Sequence, residues 1–175
     1  WASAPGAACF AILPLIESAR GLGVLDVLAH SPGVLRLALG HLDLQADMGM
    51  RCEADETELH PARFAMVAAS RRAGLVSPVD GVTVAIDDTQ RLQADTARSR
   101  RFGFGAKLCI HPAQLTTVGA VFAPSQAEVE WAQRVMAAQV RAAGAAFSLD
   151  GRMVDAPVVR LAQQTLARAD RTKFT

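Results

Sequence analysis

The strongest constraint on this chain is a repeated alternation between two hydrophobic periods. Cys9 to Ile16 is a nearly continuous apolar run, as in a strand buried on both faces of a parallel sheet. Arg20 to His30 follows with helical spacing at Leu22, Leu25, Val27 and Leu28, and Ser31-Pro32-Gly33 breaks it. Val34 to Leu39 is a second apolar strand, and the polar, acidic stretch from about Gln45 to Glu58 reads as a loop. His60-Pro61 opens a helix closed by Gly74. Val82 to Ile86 reads as a third strand entered through Asp80-Gly81, and Thr89 to Arg101 as a helix with basic residues in its last turn. Lys107 to Ile110 is a fourth strand and Pro112 to Phe122 a short helix. Four such βα units wind right-handed into a parallel sheet, either doubly wound or part of a barrel.

From residue 123 the pattern changes. Ser125-Gln126-Ala127-Glu128 is a capping box for a helix that Gly144 ends. Asp150-Gly151 is a turn, and Val154 to Ala169 carries apolar residues at helical spacing. The expected division is therefore residues 1–122 and a helical tail, 123–175.

Composition removes several classes of function. A net charge of +1 gives no field to attract nucleic acid or an anionic membrane surface, and no apolar run approaches the length of a membrane span. Cys9, Cys52 and Cys109 are too scattered for a disulfide framework or a zinc knuckle, which fits a cytoplasmic location. They read as small apolar residues. The start at Trp1-Ala2-Ser3 lacks methionine and a basic leader, so a fragment of a longer chain is expected. No P-loop or GxGxxG motif occurs.

In parallel α/β folds, reacting groups collect just past the carboxyl ends of the strands. Glu17 follows the first strand and Asp43 the second, so the two acids would reach one rim from strands about 5 Å apart. Two carboxylates with room for water and substrate oxygens suit Mg²⁺. The alternative is that Glu17 caps the following helix and Asp43 a turn. Asp87 and Asp88 follow the expected third strand and His111 the fourth. Asp47 reads as a solvated loop carboxylate, and His111 as a proton donor or a structural group. Lys107, at the start of its strand, reads as a pairing or folding residue, and Asp155 as the N-cap of the last helix.

These segments resemble the citrate lyase β-subunit-like proteins of the HpcH/HpaI aldolase superfamily. The matching stretches are Leu13-Pro14-Leu15-Ile16-Glu17-Ser18-Ala19-Arg20-Gly21, Gly40-His41-Leu42-Asp43-Leu44-Gln45-Ala46-Asp47-Met48-Gly49, and Gly105-Ala106-Lys107-Leu108-Cys109-Ile110-His111-Pro112-Ala113-Gln114. Gly74, Asp80-Gly81, Phe122-Ala123-Pro124-Ser125 with Glu128, and Asp150-Gly151-Arg152-Met153-Val154-Asp155-Ala156-Pro157 complete the match. The resemblance implies an α/β fold, a (β/α)₈ TIM barrel of which this chain carries the C-terminal βα units and a helical tail. It implies a Mg²⁺-dependent C–C bond lyase acting on short hydroxyacyl-coenzyme A thioesters. The alternatives are a 2-oxo acid aldolase that uses no coenzyme A and a non-catalytic subunit of a larger complex. By motif, Glu17 and Asp43 are the metal ligands. Asp155 is a catalytic residue, delivered by the tail to a neighbouring subunit of a homo-oligomer, a trimer or a multiple of one. An arginine carried by the family's opening strands has no counterpart in these residues.

Overall fold

A computed structural model describes residues 10–142 and 145–172. Cys9, where the first strand was expected to start, and Gly144, expected to end a helix, lie outside them.

Residues up to Phe122 form one compact unit. Its strands are β1 (Leu15–Ile16), β2 (Ala38–Leu39), β3 (Val79–Asp80) and β4 (Ala106–Lys107), all parallel and in the order β1-β2-β3-β4. A further parallel bridge, Ile12 to Val34, extends the first pair backwards. Between the strands run α1 (Ala19–Gly23), α2 (Leu25–Ala29), α3 (His41–Met48), a 3₁₀ turn at Thr57–Leu59, α4 (His60–Arg72) and α5 (Thr89–Phe102). The helix α6 (Gln114–Phe122) follows β4. The core joins Ile16, Leu37 and Leu39 of the sheet segments to Leu25, Leu44, Leu59, Met66, Ala69 and Phe104.

The register puts Ile16 beside Leu39 and Asp80 beside Lys107, so the four strands end level. Glu17, Gly40, Gly81 and Leu108 are the next residues. Local chemistry then turns the chain. Ser18 Oγ accepts from Gly21 N–H at 3.2 Å and caps α1, and Asp88 Oδ1 accepts from Arg91 N–H at 2.8 Å and caps α5. Gly103, at φ 99°, ends α5 in a backbone region that favours glycine.

Several expectations are corrected. The third strand is Val79–Asp80, not Val82 to Ile86, whose Val84 and Ile86 side chains are exposed. The pattern misled because an aspartate inside a strand reads as a turn residue, yet Asp80 is fully buried and charge-compensated. The acidic stretch after Leu44 is partly helical, since α3 and the 3₁₀ turn dock there through Leu44 and Leu59. Arg20 to His30 is two short helices broken at Val24, and β4 ends at Lys107 rather than beginning there.

The residues from Ala123 form a second compact unit. The helices α7 (Gln126–Ala142) and α8 (Ala156–Thr172) pack through Ala132, Val135, Val159 and Ala162. Ser125 and Glu128 close the capping box at the start of α7, with Ser125 N–H donating to Glu128 Oε2 at 2.7 Å. The strands β5 (Phe147–Leu149) and β6 (Arg152–Val154) form an antiparallel hairpin around Asp150-Gly151, so Val154 ends a strand rather than starting the last helix. Among the described residues no helix is long and apolar enough to cross a membrane.

Candidate metal centre

Glu17 is the first residue past β1 and is exposed. It does not cap α1, because Ser18 does. Its side chain leans across the end of β2: a Cβ on Gly40 would lie 2.8 Å from Glu17 Cβ and 3.1 Å from Oε2. Only glycine leaves this space to the carboxylate, which therefore lies beside the residue that begins α3. Asp43 stands in the first turn of α3, also exposed. The two acids thus follow neighbouring strands at one rim, Glu17 directly after β1 and Asp43 in the helix after β2.

Asp47 fixes which way that rim is turned. It lies one helical turn beyond Asp43 on the same face, and its Oδ2 accepts from Ala19 N–H at 2.8 Å. The Asp43–Asp47 face of α3 is therefore turned toward the corner that follows Glu17. Asp47 is a tether between two rim segments rather than a solvated loop carboxylate.

Among the described residues neither Glu17 nor Asp43 has a side-chain hydrogen bond or ion pair, and no group of three or more His, Cys, Asp or Glu side chains forms a ready metal cage. The donor set is two oxygen-bearing carboxylates with free lone pairs. That chemistry fits a hard cation such as Mg²⁺, which retains several waters, and not a closed four-ligand zinc site.

Next to these bare acids lies a buried charged network. Asp80 receives Arg63 Nε at 3.1 Å, Ser99 Oγ at 2.5 Å and Gly81 N–H at 2.9 Å. Burial alone pushes its carboxyl up, but the Arg63 guanidinium, the Ser99 hydroxyl, Lys107 and the Gly81 amide together hold it below the usual carboxylate range. Glu56 accepts from Arg63 at 2.5 Å and Arg98 at 2.6 Å. Asp95 accepts from Thr83 Oγ1 at 2.9 Å and pairs with Arg91 and Arg98. Lys107, almost fully buried, donates to Gly81 O at 2.6 Å, and burial pushes its ammonium pKa down. It stands at the rim end of its strand, contrary to the expectation from sequence. Gln114 ties the loops after β3 and β4 together, accepting from Ile110 N–H and donating to Thr83 O.

The remaining candidates have local roles. His111 is exposed, and its Nδ1 accepts from Ala113 N–H at 3.2 Å. Asp155, in the second unit, accepts from Val158 N–H at 3.3 Å at the start of α8. Cys52 and Cys109 are free and half-buried, and burial raises both thiol pKa values. Cys9 lies outside the described residues. Reasoning from sequence missed Glu56, Arg63, Asp80, Arg98 and Gln114 as parts of one network. Asp80-Gly81 and Gln114 were visible only as fragments of the family pattern.

Comparison with known proteins sets this geometry in a family. Residues 7–112 match the model described as HpcH/HpaI aldolase/citrate lyase. The chain is 37% identical over 161 residues to the (3S)-malyl-CoA thioesterase of Cereibacter sphaeroides, covering 89% of this chain and 55% of that protein. It is 32% identical over 164 residues to a citrate lyase subunit beta-like protein of Mycobacterium tuberculosis, covering 90% and 59%. The chain thus spans little more than half the length of the curated relatives it matches. The crystal structure of CitE from Mycobacterium tuberculosis in complex with magnesium, acetoacetate and coenzyme A superposes with a TM-score of 0.81 at 31% identity, covering 91% of this chain and 61% of that one. A parallel sheet with helices between its strands, two unpartnered acids at its carboxyl rim and a family match across most of the first unit lead to one conclusion: this chain belongs to the HpcH/HpaI aldolase/citrate lyase family.

Proposed function

We propose that the chain carries the metal-binding half of a Mg²⁺-dependent C–C bond lyase that cleaves or forms short hydroxyacyl-coenzyme A thioesters. In this reading its four βα units belong to a (β/α)₈ barrel. The observation that carries it is the pair Glu17 and Asp43, two carboxylates without protein partners at one sheet rim. The relative crystallised with magnesium, acetoacetate and coenzyme A, and the relatives named for malyl-CoA and citrate, supply the substrate class.

Glu17 and Asp43 would hold the metal. When bound, Mg²⁺ supplies Lewis-acid polarisation of the 2-oxo acid fragment and a template for its oxygens. The chain's own residues set the geometry. Gly40 keeps the Glu17 carboxylate clear, and Asp47 tethers α3 to the Glu17 corner. In the cleavage direction the substrate β-hydroxyl gives its proton to water, the Cα–Cβ bond breaks to leave the 2-oxo acid carbonyl, and the electron pair of that bond stays with the thioester α-carbon, delocalised onto the thioester oxygen as an enolate. A proton delivered to that α-carbon completes the step. We assign that delivery to Asp155, brought by the helical tail to a neighbouring subunit's site in a homo-oligomer, a trimer or a multiple of one.

The test is the full-length protein with Glu17→Ala. It should lose Mg²⁺ binding by calorimetry and release of the 2-oxo acid from hydroxyacyl-coenzyme A substrates. Normal cleavage by this variant overturns the reading. Assaying 2-oxo acid release beside free coenzyme A release separates lyase from thioesterase action, the activity in the name of the 37% identical relative. Cleavage of free hydroxy acids but not thioesters would favour an aldolase without coenzyme A.

A further inference from the structure

The geometry points to His41 and Glu56 as positioning residues for Asp43, a role that rests on the metal reading of the rim given above. The helix α3 begins at Gly40 without a side-chain cap and has eight residues. So short a helix is held by docking rather than by its own propensity. Only His41 and Leu44 of α3 are buried. Leu44 anchors the helix to the apolar core, and His41 anchors its first turn to something polar.

The Nδ1 edge of the His41 imidazole packs against the backbone that follows β3. A Cβ on Gly81 would fall 2.0 Å from His41 Nδ1, so the ring occupies space that only a glycine leaves open. On its other side, His41 Nε2 faces Glu56 Oε1 at 3.7 Å. Glu56 is a rigid stop. Its backbone is left-handed at φ 52°, a conformation that non-glycine residues keep only where their surroundings hold them. Arg63 and Arg98 clamp its Oε2 at 2.5 and 2.6 Å, and Arg91 approaches Oε1 at 3.6 Å. The other charges near the ring are tied as well: Arg63 to Asp80, and Lys107 to Gly81 O.

Asp43 lies two residues from His41, about 200° around the helix axis. A roll of α3 that lets His41 leave its slot therefore swings Asp43 along the rim relative to Glu17. Among the described residues Asp43 has no partner of its own to resist that movement, and its direction is set by His41 on one flank and Asp47 on the other. The buried network thus acts on the rim through one imidazole. The motif stretch Gly40-His41-Leu42-Asp43 joins the glycine under Glu17, the positioning ring and the candidate ligand in four residues.

The test uses the full-length protein and Mn²⁺ as a paramagnetic stand-in for Mg²⁺, with affinity read by electron spin resonance and stability by thermal melting. His41→Ala and Glu56→Gln should each weaken Mn²⁺ binding about 10- to 100-fold, as loss of an outer-shell partner does. Leu25→Ala, a core truncation under α2, should lower the melting temperature and leave the affinity unchanged. His41→Gln, which keeps a donor that reaches toward Glu56, should recover affinity to within about threefold of the parent, well inside that outer-shell loss. Unchanged affinity in both His41→Ala and Glu56→Gln overturns the inference, and so does an equal loss in Leu25→Ala. Should His41→Ala fail to fold, Glu56→Gln alone decides. A parent protein that binds no Mn²⁺ overturns the metal reading and this role together, whereas a parent that binds while Glu17→Ala does not leaves the metal reading standing whatever His41 shows.

Discussion

Two pairs of acids at the same end of one sheet have opposite surroundings. Glu17 and Asp43 are exposed and, among the described residues, have no side-chain hydrogen bond or ion pair. Asp80 and Glu56 are buried; Asp80 is saturated by Arg63, Ser99 and the Gly81 amide, and Glu56 is clamped through Oε2 by Arg63 and Arg98. A carboxylate whose lone pairs are all engaged by the protein has nothing left for a cation, whereas one kept bare at a rim is available to it. The difference separates a charge spent inside the protein from one open to a cation, although both are acidic residues near strand ends.

The largest expected effect lies on the buried side. Removing one partner of a buried pair leaves the other charge uncompensated, so Asp80→Ala should destabilise the first unit by about 3–5 kcal/mol in urea melts. Among the described residues Glu17 has no side-chain hydrogen bond or ion pair for Glu17→Ala to break. The variant should stay within about 0.5 kcal/mol of the parent in the same melts, while metal affinity falls further than the 10- to 100-fold of an outer-shell loss. Equal stability losses in the two variants would erase the distinction.

The two rim glycines sharpen it at smaller magnitude. Gly81→Ala drives a methyl group into the His41 ring, a clash that costs about 1–3 kcal/mol in a packed site. Gly40→Ala meets Glu17 Cβ, which side-chain rotation cannot move, so the corner after β1 must shift and the Glu17 carboxylate with it; the substitution should lower the melting midpoint and, by the larger share, metal affinity. If the two substitutions proved alike in both readouts, the contrast between a packed flank and an open one would fail.

The exposed half of this comparison was legible in the sequence and the buried half was not, for physical reasons. Glu17 and Asp43 stand just after apolar runs, and the position of a strand end follows from local pattern. The network partners are remote along the chain: Arg63 and Asp80 are 17 residues apart, Ser99 and Asp80 19, and Arg98 and Glu56 42. No short spacing encodes them. The same blindness misplaced the third strand, because Val82 to Ile86 has the apolar look of a strand while Asp80 does not. Its charge is admissible inside the sheet only because Arg63 waits on α4. The helix α3 escaped notice for the opposite reason: six of its eight residues are not buried, leaving too little hydrophobic period to read. Likewise the β5–β6 hairpin showed only its turn, since its three-residue strands are mostly exposed or half-buried.

Acid titration of Asp80 is the finest test of the buried side. Burial disfavours the Asp80 carboxylate, yet Arg63, Ser99, Lys107 and the Gly81 amide outweigh burial and leave its folded pKa below the unfolded value of about 3.9. For a carboxyl with a depressed folded pKa, the unfolded chain binds the proton first. Its contribution to stability is complete above about pH 4 and is lost as the pH falls from there through the folded pKa. The urea midpoint of the parent should therefore drop steeply below about pH 4. Asp80→Asn has no proton to take up at that position. It should start from a lower midpoint at neutral pH and lose less on acidification, so the two curves converge at low pH. Parallel curves would mean that Asp80 titrates alike in the folded and unfolded chain, and its partners would then matter to stability through packing alone.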